Sequence, residues 1–259
     1  MKISVITINL NNRDGLKKTI ESVLCQTFKD FEYIIVDGGS KDGSSDLIRQ
    51  HEEAVSYWVS EPDRGIYHAM NKGIAIAKSS YLLFLNSGDL LLDKNILEKV
   101  SAYLGSSDIV YGDLRIARKG SFEDHVYPDY LNFSYFLGHS IGHPAAFIKK
   151  SLFEKVGLYD ESMLICADWA FFIRAVGLFR ASYQHIPLIV SIFHTDGISC
   201  LAQNRQIMRE EQIRLLKNDF SFFETDYESY QHLKENIESL RRSKPYKILK
   251  FLGLPKYQT

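Results

Sequence analysis

The chain has 259 residues, 45% hydrophobic and 13% aromatic, enough to bury a substantial core without disulfides or structural metal. Its 31 Lys and Arg against 32 Asp and Glu leave a net charge of −1, which excludes the global basic field of a nucleic-acid binder. No stretch reaches the roughly 18–20 apolar residues of a membrane span, and the N-terminus lacks the basic start and long apolar region of a signal peptide. Cys25, Cys166 and Cys200 form no CxxC pair and are expected as buried small side chains of a cytoplasmic protein.

The first half alternates strand-like and helix-like segments. Residues 3–8 are rich in β-branched side chains and predict a strand. Leu16, Ile20, Val23 and Leu24 then share one face of a helix over 13–26. A second strand, 31–36, stops at Asp37-Gly38-Gly39-Ser40, and Ser44 or Ser45 is placed to cap a short helix. A third strand, 55–60, ends at Glu61-Pro62-Asp63. Ile66, Met70, Ile74 and Ala77 mark an amphipathic helix leading into an apolar run over 81–85. This order predicts a parallel sheet with right-handed crossovers. Beyond residue 89 the expected elements are a helix over 95–104, antiparallel strands over 109–117 and 122–126, and a strand over 145–148. Helices over 151–156 and 168–176 and strands over 181–185 and 188–193 follow. From about residue 200 the chain reads as mostly helical.

Tyr81-Leu82-Leu83-Phe84-Leu85 breaks abruptly into Asn86-Ser87-Gly88-Asp89. Parallel sheets place their ligands just past the carboxyl ends of the strands, so Asp89 and Asp37 both fall where a ligand is handled. Asp89 with Asn86 and Ser87 offers oxygens suited to Mg²⁺ or Mn²⁺, or else closes a turn or caps a helix. Asp37 can accept from a base imide or a ribose hydroxyl, or close an Asx turn. Arg64 near a helix N-terminus suits phosphate. His68 reads as an edge residue, and Met70 and Ile74 as core. Residues 241–259 hold Arg241, Arg242, Lys244, Lys247, Lys250 and Lys256 with no acid, interleaved with Ile248, Leu249, Phe251, Leu252 and Leu254. That pattern fits peripheral contact with an anionic membrane face, or a partly packed tail.

Four motifs occur in order: Thr7-Ile8-Asn9; Val36-Asp37-Gly38-Gly39-Ser40-Lys41-Asp42-Gly43-Ser44; Asp63-Arg64-Gly65 with Asn71-Lys72-Gly73; and Phe84-Leu85-Asn86-Ser87-Gly88-Asp89. Together they resemble the family 2 nucleotide-sugar glycosyltransferases of the GT-A fold, closely to about residue 90 and more loosely to about 200. The Asn-Ser-Gly-Asp form resembles a subgroup that includes exopolysaccharide enzymes. The resemblance implies an α/β fold with a GT-A-like, Rossmann-type mixed, mainly parallel sheet flanked by helices. It implies a glycosyltransferase domain over 1–200, with a nucleotide-binding half at 1–90 and an acceptor half at 91–200, and a helical extension over 201–259.

The resemblance also implies roles. Thr7, Asn9, Asp37, Arg64, Asn86 and Ser87 would grip the donor, and Asp89 would hold a divalent metal, Mn or Mg. Two departures stand out: Gly38 replaces the second acid of the usual DDGS, and residues 86–89 keep only the final acid of the usual cluster. Gly142-His143-Pro144-Ala145 matches a segment near the acceptor site, which makes His143 an acceptor contact. Asp168 falls where inverting members carry their general base, although it also suits a helix N-cap; Trp169 reads as core. His194, opening His194-Thr195-Asp196-Gly197-Ile198-Ser199, would bind phosphate or complete the metal shell, or stand as an edge histidine. The implied activity is inverting, non-processive transfer of one sugar to a hydroxyl of a growing glycan, free or lipid-linked. Membrane spans and the QxxRW pattern of processive synthases are absent from the sequence. The alternatives are a non-catalytic nucleotide- or glycan-binding homologue, favoured by the acids missing at 38, 86 and 167, and a sugar nucleotidyltransferase. The latter would show a Gly-rich basic loop where Asn9-Leu10-Asn11-Asn12-Arg13-Asp14-Gly15 stands.

Overall fold

A computed structural model describes every residue except Lys119, Asp196 and 252–259; the side chains of Phe223 and Glu224 also lie outside the description. Leu252, Leu254 and Lys256 of the basic C-terminal pattern, and Asp196 of the loop after His194, therefore fall outside the described residues. Two compact units divide the chain, Met1–Arg209 and Glu210–Thr259.

The first unit opens as the pattern of apolar runs dictates. β1 (Ile3–Asn9), α1 (Arg13–Leu24), β2 (Phe31–Asp37), α2 (Ser44–Arg49), β3 (Tyr57–Ser60), α3 (Ile66–Ile76) and β4 (Tyr81–Phe84) alternate in strict order. β1 and β4 are buried at every residue, as unbroken apolar runs in a sheet covered on both faces must be. β2 and β4 flank β1, β3 lies outside β2, and all four run parallel. Asn9 pairs with Asp37 and Asp37 with Ser60, so three strand ends share one edge.

The second half folds back onto that sheet. β5 (Leu90–Leu91), α4 (Ile96–Ser101), β6 (Ile109–Arg118), β7 (Ser121–His125), α5 (Phe133–Phe136), β8 (Ala146–Lys149), α6 (Lys150–Val156), α7 (Ala167–Gly177) and β9 (Tyr183–His194) follow. The nine-stranded sheet has the order β3-β2-β1-β4-β8-β6-β9-β5, with β7 on β6. β1 to β4, β6 and β9 point one way, and β5, β7 and β8 the other. This is the mixed, mainly parallel GT-A-like sheet that was expected. Antiparallel β8 places its start beside the end of β4, with Leu83 opposite Phe147. β5 pairs Leu90 with Ile192, which brings Asp89 to the end of β9. Beneath β4, Phe84, Phe153, Tyr159 and Phe171 form an aromatic cluster with centroids 4.4–6.4 Å apart.

Several local expectations are corrected. The strands expected at 181–185 and 188–193 are one strand, β9, continuous through Pro187, with its register against β6 shifting around Asp113. Pro187 lacks an N–H, and the irregular pairing there removes the need for one. The short helix α2 is capped by Gly43 at φ 88°, not by Ser44 or Ser45; Ser44 is buried and donates to Asp42 at 2.6 Å. α4 is shorter than the predicted 95–104. Cys25 and Cys200 are exposed, because each sits at or beside a helix end and not on an inward face; only Cys166 is buried. The C-terminal helices are α8 (Arg205–Asp219), which crosses the division between the units, α9 (Glu224–Arg242) and α10 (Lys244–Phe251).

Gly112 lies where β9 comes closest to β6. A Cβ there would stand 2.4 Å from the Leu188 carbonyl oxygen and 2.7 Å from Val190 Cγ2. Gly112→Ala should therefore lower the unfolding free energy by about 1–3 kcal/mol, the usual cost of overpacking. Urea denaturation measures it, and a loss under about 0.5 kcal/mol, the scatter of neutral surface changes, would show that β9 gives way freely.

Candidate active site

The site gathers residues from strand ends, the turns after them and the first turns of helices. Thr7 is buried in the sheet, where its hydroxyl donates to the Leu85 carbonyl at 2.7 Å and meets the Tyr33 hydroxyl at 3.1 Å. It does not line the cavity described below, because its place in β1 turns it toward the interior. Asp37 is also fully buried. Its carboxylate accepts from Asn9 Nδ2 at 2.7 Å, from the Ser40 N–H and Oγ at 3.0 and 2.6 Å, and from Ser60 Oγ. Burial pushes its pKa up, but the hydrogen bonds from Ser40, Ser60 and Asn9 outweigh that and hold it below the ordinary carboxylate value. In this arrangement Asp37 braces the Gly38–Ser40 turn.

The loop after β4 is clamped from α1. Thr19 Oγ1 donates to the Asp89 carbonyl at 2.8 Å and accepts from the Gly88 N–H at 2.9 Å, while Gly88 takes φ +109°. Only glycine adopts that conformation without strain. Asn12, the N-cap of α1, donates to the Ser87 carbonyl at 3.0 Å. Asp89 is thereby held nearly buried, its Oδ1 accepting from the His194 N–H at 3.2 Å.

Across the cleft, Asp168 sits in the first turn of α7, whose N-cap is Cys166; the capping alternative is thus removed. The Tyr67 hydroxyl shares its one proton between the Ile165 carbonyl at 2.5 Å and Asp168 Oδ1 at 3.0 Å, and Asp168 Oδ2 lies 3.2 Å from His143 Nδ1. His143 Nε2 in turn lies 3.0 Å from Asn86 Nδ2. With the Asn86 amide N–H donating to Nε2, the ring keeps its proton on Nδ1 and donates it to Asp168. Asn86, His143, Asp168 and Tyr67 thus form one chain of hydrogen bonds. Burial, and next the Asp168 charge, push the Tyr67 phenol well above its ordinary value, so it stays a donor. Both ring nitrogens of His143 are engaged within the protein.

Asn9, Asn86, Asp89, His143, Asp168 and His194 all line one cavity of about 490 Å³. Among the described residues, four buried side-chain polar atoms lack a partner, and three of them belong to this lining: Asn9 Oδ1, Asn86 Oδ1 and His194 Nδ1. Ser87 lines it too. Arg64 does not: it is exposed, and its Nη2 bonds Glu161 Oε2 at 2.6 Å. Trp169 is core, donating to the Phe136 carbonyl at 2.8 Å. His68 lies 3.0 Å from Asp63, as an edge residue.

A divalent cation is compatible with this lining. The Asp89 carboxylate and Asn86 Oδ1 offer oxygen and His194 Nδ1 nitrogen, two of the three atoms having no partner in the protein. No group of three or more His, Cys, Asp and Glu placed to hold a metal ion occurs among the described residues. Such an ion would take most of its shell from ligand oxygens and water, as Mg²⁺ commonly does.

Residues 4–174 match the model of glycosyl transferase family 2, about two-thirds of the chain. The chain belongs to that family. A Mycobacterium tuberculosis relative described as a PGL/p-HBAD biosynthesis glycosyltransferase is 32% identical over 202 residues, covering 75% of this chain and 77% of the relative. Another M. tuberculosis relative, an uncharacterized glycosyltransferase, is 36% identical over 179 residues, 67% of this chain and 68% of its own. Among solved structures, S. aureus TarS in complex with UDP-GlcNAc superposes with TM-score 0.66 at 17% identity, over 84% of this chain and 67% of that one. Mannosyltransferase PcManGT from Pyrobaculum calidifontis, in complex with GDP-Man and Mn²⁺, gives 0.65 at 16% identity, over 100% of this chain and 81% of its own. At that identity the likeness speaks to the fold.

Sequence reasoning missed Tyr67, Thr19, Asn12 and Asp63. Asp63 lines the cavity, with Lys72 Nζ 2.7 Å from its carboxylate. Its place in the Asp63-Arg64-Gly65 motif was a signal; Thr19 and Asn12, on a helix face and a cap, gave none. The depressed Asp37 carboxyl fixes the sign of a pH effect. Its contribution to stability is full above its unfolded pKa, about 3.9, and is lost as the pH falls through the lower folded value. Urea unfolding should show wild type exceeding Asp37→Asn by a margin that is constant near neutrality and shrinks below about pH 4. A margin independent of pH would contradict the brace.

Proposed function

We propose that this family member is an inverting, non-processive glycosyltransferase that moves one sugar from a nucleoside-diphosphate donor to a hydroxyl of a growing glycan, free or lipid-linked. The observation that carries the reading is a cavity with unmet hydrogen-bonding capacity on the β1 and β4 side and a carboxylate, Asp168, on the other. The neighbours that bind UDP-GlcNAc and GDP-Man support a sugar-nucleotide donor, and the relatives' descriptions support a role in glycoconjugate assembly. The family match weighs against a nucleotidyltransferase.

The acceptor hydroxyl attacks the anomeric carbon while Asp168 accepts its proton. The new C–O bond forms on the face opposite the departing nucleoside diphosphate, whose glycosidic C–O bond breaks, so the configuration inverts. Hydrogen bonds from Tyr67 and His143 fix the Asp168 carboxylate and leave each oxygen a free lone pair for the proton. Asn9, Asn86 and Ser87 line the donor side. Asp37 orders the turn beneath them, a less direct role than base or ribose contact, and Arg64 would have to leave Glu161 to reach phosphate. A divalent metal at Asp89, with Asn86 and His194, would neutralise charge on the departing diphosphate.

Asp168→Asn should lower kcat by about 10²–10⁴-fold with the donor Kd unchanged, as loss of a general base does. Product release by wild type and variant measures it, and a fully active variant would sink the assignment. His143 is assigned to positioning. His143→Ala should lower kcat roughly 10- to 100-fold, the scale of a misplaced reacting group, with acceptor KM nearly constant. A rise in acceptor KM at constant kcat would instead restore the acceptor contact.

A further inference from the structure

The second unit carries an apolar face that is exposed among the described residues. On α9, Leu233, Ile237 and Leu240 are all exposed, Leu240 by 63%. At 3.6 residues per turn they fall within an arc of about 60°. Glu228, Glu235 and Glu238 lie on the other side of the helix. Lys234 and Arg241 border the apolar arc. Arg242, farther round, pairs with Glu238 at 3.4 Å. α10 continues the pattern: Ile248 and Phe251 are exposed, Phe251 by 90%, and at about 100° per residue Lys244 falls between them and Lys247 beside Phe251, while Lys250 lies on the opposite side. From residue 241 to the end of the sequence there is no Asp or Glu.

We propose that α9 and α10 lie in the plane of an anionic lipid surface, with Leu233, Ile237, Leu240, Ile248 and Phe251 inserted between headgroups and the flanking lysines and arginines on lipid phosphates. The charge pattern selects this occupant. A second copy laid face to face would bring the unpaired cations of α10 against the same cations, whereas an anionic bilayer meets both the apolar arc and its basic border. A membrane-crossing role does not compete, since no described helix is long and apolar enough to span. The inference is independent of the sugar-transfer reading, because it uses no residue of the cavity. Its consequence for function is positional: the chain would work beside lipid-borne acceptors.

Co-sedimentation of the full chain with vesicles tests it. Vesicles of phosphatidylcholine with 30% phosphatidylglycerol, about the anionic content of a natural leaflet, should carry the protein down at low salt, and pure phosphatidylcholine should not. Each lysine near such a surface is worth roughly fivefold in affinity, so Lys244→Gln with Lys247→Gln should weaken binding about 25-fold. These changes keep good helix formers. Ile248→Ser with Phe251→Ser should abolish binding at a melting temperature matching wild type. Three results would overturn the proposal: failure to sediment on either vesicle, binding unchanged by both sets of substitutions, or a dimer in sedimentation equilibrium that Ile237→Asp dissociates.

Discussion

A buried polar atom that finds no partner costs on the order of 1–3 kcal/mol, so a fold rarely keeps one without a use. This fold gathers three of them, on Asn9, Asn86 and His194, around a single cavity at the carboxyl edge of its central strands. The surrounding structure is spent on keeping those atoms where they are. Thr19 clamps the 86–89 loop through two backbone groups, Asn12 holds Ser87, and Asp37 takes hydrogen bonds from both sides of the Gly38–Ser40 turn. A site prepared in this way has little to reorganise when a ligand supplies the missing hydrogen bonds.

One imidazole joins the 86–89 loop to Asp168 across the cavity. Because β8 runs antiparallel to β4, the turn before it carries His143 over the end of β4, within reach of Asn86. The helix α7 presents Asp168 to the other ring nitrogen. The 86–89 loop and the Asp168 carboxylate are therefore joined by one side chain, which fixes the orientation of both. In the same way, pairing of β5 with β9 sets His194 against Asp89, although the two residues are far apart in sequence.

The parallel half of the fold was legible because its strands are long apolar runs ended by Asp37 and Asn86, and its helices keep strict periodicity. The strand over 3–8 and the ends of 31–36 and 81–85 came within a residue of their places for that reason. β9 was broken in two at Pro187, since a proline inside a strand argues for an interruption until a register shift on the neighbouring strand is visible. Of the residues named from the sequence, Asn9, Asn86, Ser87, Asp89, His143, Asp168 and His194 line one cavity, and they end strands, follow them or open a helix. Thr7 and Asp37, named with them from the sequence, are buried and do not line that cavity. Alternation along a strand says which residues share a face, but in a sheet buried on both sides it does not say which face holds the ligand. Tyr67 was invisible for another reason: a tyrosine at the start of an amphipathic helix reads as core until α7 is laid beside it.

The most direct test of the account is a thermal-shift series with UDP, GDP, CMP and dTDP, each with Mn²⁺, Mg²⁺ or chelator. A ligand that binds only the folded state raises the melting temperature by mass action. The account predicts that one nucleotide stabilises the protein, more strongly with metal, and that Asp89→Ala removes the metal's share while Asn86→Ala weakens the whole response. Well-folded protein that responds to none of the four would contradict it, and would leave the cavity to a ligand without a nucleotide.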